Sequence, residues 1–295
     1  MNITQRFFLP VMIGAILATG CNDAGTDNSA GKNDSLYSGT KFNENIRATN
    51  AQTPEEERKG FKLPDGFEIT LFASEPEIGK PINLTFDPMG RVWVTQSFEY
   101  PFPAVPGGGK DRVTILEDTD NDGKADKFTH FDDTLNIPIG VIPTVDGAMV
   151  YSIPNVYKFY DKEGKGKPDS SKKVMGPFEV KDTHGMVNNF TWGFDGWIHA
   201  CHGFSNRSNV AALDGDSVHL ISGNTIRFKP DGSRVEHETA GRINPFGLTY
   251  DELGYIYGTD CHTSPLYQLI SGGDYSQWGK DEGMGFAPDM QSFST

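Results

Sequence analysis

The sequence is poor in cysteine and in basic side chains. Its 295 residues include three cysteines, and 26 lysines and arginines against 40 aspartates and glutamates, so that the formal net charge is −14. A chain this acidic lacks the clustered basic side chains that nucleic-acid binding requires, which excludes nucleic acid as its partner. Many of the acidic side chains fall in turns and in the 50–60 segment, a distribution typical of a solvated surface.

Several motifs of well-known chemistry are also missing. There is no CxxCH for c-type haem attachment, no phosphate-binding P-loop, no GxGxxG dinucleotide fingerprint and no GxSxG nucleophile elbow. No long stretch with the 3.6-residue apolar period of a helix follows the N-terminal leader. With 34 glycines and 18 prolines, the composition favours an all-β domain with many turns.

One phrase occurs four times along the chain. Each copy is an apolar run, a tight turn and a second, alternating run of aromatic and β-branched residues. The copies are LTFDPMGRVWVTQ (84–96), IPTVDGAMVYSI (142–153), FTWGFDGWIHACH (190–202) and LTYDELGYIYGTD (248–260). Their turn glycines are Gly90, Gly147, Gly196 and Gly254. A hairpin on this period, with room for two more strands between copies, predicts the blades of a β-propeller.

The spacing predicts roughly three complete blades and part of a fourth. Further strand-like runs fill the gaps, among them RVTILED (112–118) and NVYKFYD (155–161). FEITLFA (67–73) also reads as a strand, and we expect it to complete the last blade. Because an open stack of sheets leaves exposed edges, we expect a truncated propeller, or one that more polypeptide completes.

The N-terminus reads as an export signal. Residues 1–20 contain an apolar run, Phe7–Leu17, that is too short to span a membrane. The stretch ATGC, ending at Cys21, resembles a bacterial lipobox. It predicts lipidation at Cys21 and anchoring at the cell envelope, facing the periplasm or the cell surface. An ordinary secretory leader, with Cys21 incidental, is the alternative.

A polar segment separates the leader from the folded domain. Residues 21–60 are rich in Asn, Asp, Ser, Gly, Thr and Glu and contain few apolar side chains. Such a segment cannot bury enough surface to offset the entropy of ordering it. We therefore predict a flexible tether over 21–60 and a partial propeller over 61–295, in an oxidising compartment.

A loop between two strands has the pattern of a calcium site. Its carboxylates occupy positions 1, 3, 5 and 9 of the loop, with Gly123 at position 6 for a sharp turn. The carboxylates belong to Asp118, Asp120, Asp122 and Asp126. Hard oxygen ligands at this spacing open a calcium loop, although Thr129 takes the twelfth position, where glutamate is usual. An acidic hairpin turn is the alternative.

The second blade carries a copy of this loop, DKEGKGKPD at 161–169. Lys165 stands there in place of the third carboxylate. Since an ammonium group does not bind a cation, we expect this copy to bind no metal.

Two stretches ahead of inner strands carry candidate site residues. His184 opens HGMVNNFTWGFDGW, and a histidine at the mouth of the central channel can act as a general base. In the next blade, GRINPFGL places Arg242 and Asn244 at the equivalent position, where both are candidate cofactor-binding residues. Arg242 would be the strong cation at that mouth, suited to an anionic cofactor or an oxyanion. A structural role for His184 is the alternative.

Two Cys-His pairs, 201–202 and 261–262, follow the second strands of blades three and four. A disulfide between Cys201 and Cys261, two free buried thiols, and a metal site are the three possibilities.

These stretches together resemble a known family. The run FKLPDGFEITLFASEPEIGKPINLTFDPMGRVWVTQSFEYP (61–101), with RVTILEDTDNDGKADKFTHF and INPFGLTYDELGYIYGTD, is similar to the N-terminal domain of PVC-type membrane-bound dehydrogenases. That domain resembles the propellers of soluble quinoprotein glucose and sorbosone dehydrogenases. GGDYSQWG at 272–279 is similar to a further segment of the family.

The resemblance implies a six-bladed propeller that holds pyrroloquinoline quinone and calcium. It also implies that His184 is the base that takes the substrate hydroxyl proton, and that Arg242 contacts the quinone. Larger members of the family continue into further blades, helical repeats and a haem domain, so this chain is expected to be an N-terminal portion.

The sequence therefore carries two interpretations. The first is an exported, lipid-anchored dehydrogenase portion that oxidises a sugar or alcohol by hydride transfer to a quinone. The second is a non-catalytic propeller that binds carbohydrate or a protein partner at the channel mouth. In the second interpretation, aromatic side chains serve for stacking or for the core: Trp93, Trp192, Trp197 and Tyr100.

Overall fold

The computed structural model describes residues 51–261, 263 and 266–275. The chain divides into two compact units, Met1–Gln52 and Thr53–Thr295, and the described residues belong almost entirely to the second. The predicted signal peptide, Cys21 and most of the predicted tether lie outside the described residues.

The second unit consists of antiparallel sheets in sequence order. The first sheet contains β1 (Pro81–Phe86), β2 (Val92–Gln96), β3 (Asp111–Glu117) and β4 (Lys127–Leu135). The second contains β5 (Gly140–Thr144), β6 (Gly147–Ser152), β7 (Asn155–Tyr160) and β8 (Ser170–Met175). Each is an up-and-down sheet in which every strand pairs with the next along the chain, as in a propeller blade.

The third sheet is interrupted by a small hairpin. It contains β9 (Val187–Trp192), β10 (Ile198–His202), β13 (Asn224–Phe228) and β14 (Val235–Thr239), while β11 (Ser208–Ala211) pairs only with β12 (Ser217–Leu220). The fourth sheet has three strands, β15 (Pro245–Tyr250), β16 (Ile256–Asp260) and β17 (Tyr267–Leu269). The described residues thus form an all-β, four-blade propeller arrangement, which confirms the predicted fold. The β11–β12 hairpin was not predicted.

The repeated phrases form the inner hairpins of the blades. In blade one, Asp87 accepts hydrogen bonds from the Met89 and Arg91 amides at 2.9 and 3.0 Å and from the Trp93 indole at 3.1 Å. Asp251 accepts from the amides of Leu253 and Tyr255 in the same way in blade four. The repeated Asp and Gly positions therefore set the turn and the register of the following strand.

The core lies between successive blades. Trp93 of blade one packs with Phe131 at 4.9 Å between ring centroids, and the same cluster includes Val150 and Phe159 of blade two. A larger cluster joins blades two and three, including Tyr151 and a T-shaped Phe190–Phe228 pair at 5.4 Å. Burial of these apolar faces is the main force that stacks the blades.

One face of blade one packs against blade two, and the segment 67–73 covers part of the opposite face. The predicted strand 67–73 is wrong, because the structure has no strand there. Phe72 and Ala73 instead pack against Val92, Val94 and Leu116, and the Phe72 carbonyl accepts one hydrogen bond, from the Ala125 amide at 2.9 Å. The segment lies as a cover on blade one, since its apolar side chains reach that sheet without a ladder of backbone hydrogen bonds.

One short helix precedes the blades. Helix α1 (Pro54–Gly60) begins at a capping box in which Thr53 and Glu56 bond reciprocally, with Pro54 in the first turn. These residues belong to the segment 21–60 predicted as a tether, and they are ordered by local capping rather than by burial, since none is buried. Within the described residues, no helix is long and apolar enough to cross a membrane.

Candidate functional site

His184 lies in the connection between blades two and three, and a carboxylate orients it. Asp182 Oδ1 lies 2.7 Å from the imidazole Nδ1 and accepts the His184 backbone amide at 2.8 Å. When the imidazole is neutral, Nδ1–H donates to this carboxylate and Nε2 keeps its lone pair. The His184 side chain is 60% exposed, so this lone pair is open to a molecule from solvent.

Buried amides hold the loop that carries His184. Asn206 is fully buried, and its side chain bonds the Asp182 amide at 3.1 Å and the Asp182 carbonyl at 2.8 Å. The Gly185 carbonyl accepts from the Gly203 amide at 2.9 Å. A side chain at Gly185 would meet the Phe204 amide nitrogen at 2.1 Å. The glycine that follows His184 in the sequence is therefore required by close backbone approach.

Asn244 reaches the same place from blade four. Its Oδ1 accepts the Phe204 amide at 3.4 Å, and its own backbone amide donates to Asp260 at 3.0 Å. A Cβ added to Gly203 would lie 2.6 Å from Asn244 Oδ1 and 3.2 Å from the Gly185 Cα. The structure thus brings Asn244 next to the backbone that follows His184.

Arg242 is not at the mouth but inside blade four. Its side chain has no exposed surface, and its φ of 58° is in the left-handed region. Nη2 donates to Thr239 Oγ1 at 3.3 Å, while Nε and Nη1 are buried without a partner. A Cβ on Gly258 would lie 3.0 Å from Nη1. The absence of a side chain at Gly258 leaves the room into which the guanidinium turns, away from the solvent-facing position that the sequence predicted.

An aromatic side chain from blade one completes the surroundings of His184. The Tyr100 ring makes a T-shaped contact with the imidazole, with 5.6 Å between ring centroids and an interplanar angle of 78°. Burial, and then the charge of Asp182, raises the pKa of the Tyr100 hydroxyl. The sequence suggested Tyr100 only for stacking or core packing. The signal for its position is the aromatic and proline run SFEYPFP, which follows β2.

The predicted calcium loop folds with three carboxylates close together. Ligand oxygens of Asp118, Asp120 and Asp126 all lie within 4.8 Å of one another. Asp122 does not belong to this group, and its Oδ1 accepts the Lys124 amide at 2.8 Å. Among the residues that the structure describes, these three are the acidic, histidine or cysteine side chains whose ligand atoms lie close enough together to share a metal ion.

The second loop has the same backbone but not the same charge. Asp161 accepts the amides of Lys165 and Gly166 at 2.9 and 2.7 Å, as Asp118 accepts those of Asp122 and Gly123 at 3.2 and 2.9 Å. The Lys165 ammonium forms an ion pair with Glu163. An internal cation thus pairs with this carboxylate, and the absence of a metal from the second loop stays a prediction.

Both described cysteines are free thiols. Cys201 is buried and Cys261 is exposed, and the structure contains no bond between them. Burial raises the pKa of the Cys201 thiol to about 11, so that it stays protonated and unreactive. His262, the partner in the second Cys-His pair, lies outside the described residues.

The sequence comparison decides the family. Residues 53–286 match the model of DUF7133, a domain of unknown function. The chain belongs to the DUF7133 family. No curated protein matches its sequence. The start of the match at residue 53 coincides with the N-cap residue of helix α1.

Solved structures with a similar fold come from several propeller proteins. The PQQ-bound aldose sugar dehydrogenase from Streptomyces coelicolor is 18% identical, with a TM-score of 0.47, and the match covers 70% of this chain and 64% of that one. The holo PQQ domain of pyranose dehydrogenase from Coprinopsis cinerea is 12% identical, with a TM-score of 0.49 and coverage of 71% and 55%.

A gluconolactonase from Xanthomonas campestris is 17% identical, with a TM-score of 0.43 and coverage of 69% and 61%. The DUF7133 chain therefore spans between 55% and 64% of the length of these three structures. Two of the three bind a quinone and the third is named for another reaction, so that any assignment of activity has to rest on the site itself.

Proposed function

We propose that this DUF7133 propeller is part of an exported dehydrogenase that oxidises a sugar or alcohol, with His184 as the general base. The observation that carries the proposal is the Asp182–His184 pair, at 2.7 Å, with the imidazole 60% exposed. A base within reach of substrate and oriented by a second group is the arrangement that proton abstraction requires.

In the proposed reaction, the residues of this chain remove the proton of the substrate hydroxyl group. The substrate hydroxyl approaches Nε2, the O–H bond breaks, and the proton passes to this nitrogen, while the Asp182 carboxylate stabilises the imidazolium that forms. A bound pyrroloquinoline quinone would be the two-electron acceptor. The hydride would pass to this acceptor from the carbon that bears the hydroxyl group, and that carbon becomes a carbonyl.

The family resemblance implies that Arg242 contacts the quinone, and the geometry around Arg242 does not support this contact. The two N–H groups without partners suit an anionic group, but the side chain has no exposed surface. In this arrangement a cofactor has no access to the guanidinium. Arg242 therefore takes no part in the proposed proton transfer. Asn244, the other residue predicted to bind the cofactor, has its side-chain Oδ1 engaged by the Phe204 backbone amide, which donates to it at 3.4 Å.

We also propose that the first acidic loop binds calcium. Three convergent carboxylates offer the hard oxygen ligands that this ion prefers. Calorimetric titration of the chain with calcium is the test. We expect Asp120→Asn to abolish calcium binding. Unchanged binding in that variant would place the ion elsewhere.

The remaining parts of the proposal concern location. Lipidation at Cys21 would anchor the chain to a membrane at the cell envelope, facing the periplasm or the cell surface, as the lipobox-like stretch ATGC predicts. Mass spectrometry of the protein purified from a bacterial membrane fraction tests this through the mass of the acyl chains. An unmodified Cys21 would leave the secretory alternative.

Dye-linked turnover tests the activity. The full chain, supplied with quinone, calcium and an artificial electron acceptor, is assayed with a panel of sugars and polyols. We expect His184→Gln to lower turnover by about 10²–10⁴-fold. His219→Gln is the matched control, since His219 bonds only to Asn209 on the β11–β12 hairpin. Turnover unaffected by His184→Gln would refute the assigned base.

The second candidate function is carbohydrate or protein binding without catalysis. Phe102, on the same segment as Tyr100, is 80% exposed, and exposed aromatic side chains serve in stacking on sugars and in protein interfaces. Binding of a sugar that survives His184→Gln, without turnover in the wild type, would favour this function.

A further inference from the structure

The segment from Ser97 to Ala104, here called the arm, is anchored at its start by a buried carboxylate. Asp111 has no exposed surface. It accepts the Ser97 hydroxyl at 2.5 Å and the amides of Phe98 and Glu99 at 2.7 and 3.2 Å. Because one buried carboxylate holds three groups of consecutive residues, the arm leaves blade one in a fixed direction.

The far end of the arm is held by a buried amide. Asn136 donates to the Ala104 carbonyl at 3.0 Å and accepts the Ala104 amide at 3.1 Å. Between these anchors, the Pro101 carbonyl accepts the Thr183 hydroxyl at 2.8 Å, a contact across 82 residues of sequence. The arm is therefore tied at its middle to the residue that precedes His184.

The contacts of the arm converge on His184, the proposed general base. Thr183 lies between Asp182 and His184, and the Tyr100 amide donates to Ser97 Oγ at 3.0 Å. The Tyr100 ring then stands at 78° to the imidazole, 5.6 Å away. The hydrogen bond to Asp182 fixes one ring nitrogen of His184, but one hydrogen bond leaves the plane of an exposed imidazole free to turn.

We propose that Tyr100 is a positioning residue for His184, and that the arm exists to place it there. The Tyr100 ring limits the plane of the imidazole and Asp182 fixes its Nδ1, so that Nε2 is directed to solvent in one orientation. For catalysis this inference rests on the function proposed above, but the positioning itself is a property of the folded chain.

The test compares Tyr100→Ala with Tyr100→Phe in the full-length chain. Tyr100→Phe keeps the ring and is the conservative control. The first measurement is the NMR spectrum of the His184 imidazole, identified by its loss in His184→Gln. The ring-current shift of the imidazole protons is lost with the ring in Tyr100→Ala and decides nothing by itself. The signature of a freely turning imidazole is faster solvent exchange of its Nδ1–H proton, because a ring that turns leaves its hydrogen bond to Asp182. We expect this exchange to be faster in Tyr100→Ala and to keep its wild-type rate in Tyr100→Phe.

The second measurement is turnover. With a base that is free to turn, we expect kcat to fall by about tenfold or more in Tyr100→Ala, with KM changed by less than about twofold. Tyr100→Phe should keep both constants. A fall in both variants alike would overturn the positioning role and assign the effect to the hydroxyl group.

A third variant guards against misfolding. Thr183→Val removes the hydrogen bond to the Pro101 carbonyl but keeps the shape of the side chain and the Tyr100 ring. We expect the same direction of change in Nδ1–H exchange, at smaller amplitude. Nδ1–H exchange that stays at the wild-type rate in Tyr100→Ala and in Thr183→Val would overturn the inference. Because the spectrum needs no turnover, a wild-type chain without activity would refute the dehydrogenase proposal alone.

Discussion

His199 Nδ1 lies 2.9 Å from a carboxylate oxygen of Glu238, and both side chains are 3% exposed. The pair joins β10 to β14 within blade three, and Nε2 of the same imidazole lies 3.3 Å from Asp195. The Tyr250 ring of blade four makes a T-shaped contact with the imidazole at 5.4 Å. This histidine therefore links the buried Glu238 side chain to the junction of two blades.

The first prediction concerns how His199 links stability to pH. Burial by itself lowers the pKa of His199, but hydrogen bonds and charges from Glu238 and then Asp195 outweigh it, so the pKa is raised from 6.5. A raised folded-state pKa contributes stability that is fully present below pH 6.5 and is lost as pH rises through the folded value. We expect His199→Gln to cost about 3–5 kcal/mol at pH 6, because Glu238 is left unpaired, and less at pH 8.5.

Urea unfolding of both proteins at these two pH values checks this prediction. A cost that is the same at both pH values would mean that the native imidazole is neutral.

The second prediction concerns His202, on the same strand, for which we expect stability to change with pH in the opposite direction. Burial lowers its pKa to about 4, and its Nε2 lies 2.9 Å from Ser208 Oγ. A lowered folded-state pKa contributes stability that is fully present above pH 6.5 and is lost as pH falls towards 4. We expect the wild type to lose stability over this range and His202→Gln to lose less of it. Thermal unfolding between pH 4 and 7 measures the difference, and parallel curves for the two proteins would contradict it.

A third prediction uses the repeat itself. Leu84 and Phe190 both stand six residues before the turn glycine of their blade, but Leu84 is 56% exposed and Phe190 is 3% exposed. Only Phe190 is covered by packing against a neighbouring blade. We expect Phe190→Ala to lower the free energy of unfolding by about 3–5 kcal/mol and Leu84→Ala by less than about 0.5 kcal/mol. Denaturant unfolding decides, and similar costs would mean that Leu84 is also covered in solution.

The same comparison shows how much of this molecule the sequence could predict. The hairpins were predictable, because alternation and the repeated turn glycines depend on neighbours close in sequence. The cover formed by 67–73 was mistaken for a strand, because a strand and an extended segment packed on a sheet share one apolar pattern. What distinguishes them is the presence of a partner strand, which is not a local property.

The site was predictable only in part for a similar reason. His184 and Asn244 could be placed from their position ahead of inner strands. The burial of Arg242 depends on the space that Gly258 leaves on the neighbouring strand, and the Thr183–Pro101 contact spans 82 residues. Neither relationship is written in a local motif.

A fourth prediction exploits the two matched loops. Lys165→Asp removes the ammonium that pairs with Glu163 and gives the second loop the charge pattern of the first. Because the backbones of the two loops make the same hydrogen bonds, we expect this variant to gain a second ion. Terbium luminescence titration should show the stoichiometry rise from one to two. Lys162→Asp adds the same charge outside the ligand positions and should leave it at one, and no gain in Lys165→Asp would show that backbone and charge do not suffice.

The last prediction concerns Asn206, which holds the backbone around His184 rather than the imidazole itself. Asn206 is fully buried and bonds the backbone on both sides of Thr183, at Asp182 and Gly185. In Asn206→Ala, the Asp182 amide and carbonyl lose their partner inside the protein, which costs about 1–3 kcal/mol, while the Gly185 carbonyl keeps its bond from the Gly203 amide. The backbone that carries the Asp182–His184 pair is then held less firmly. Asn209→Ala, in the exposed contact to His219, is the control and should cost less than about 0.5 kcal/mol. Amide hydrogen exchange at 182–185 distinguishes the outcomes: faster exchange in Asn206→Ala alone means that a buried amide holds the base in place, whereas equal exchange in both variants would mean that the loop is held by its own turn.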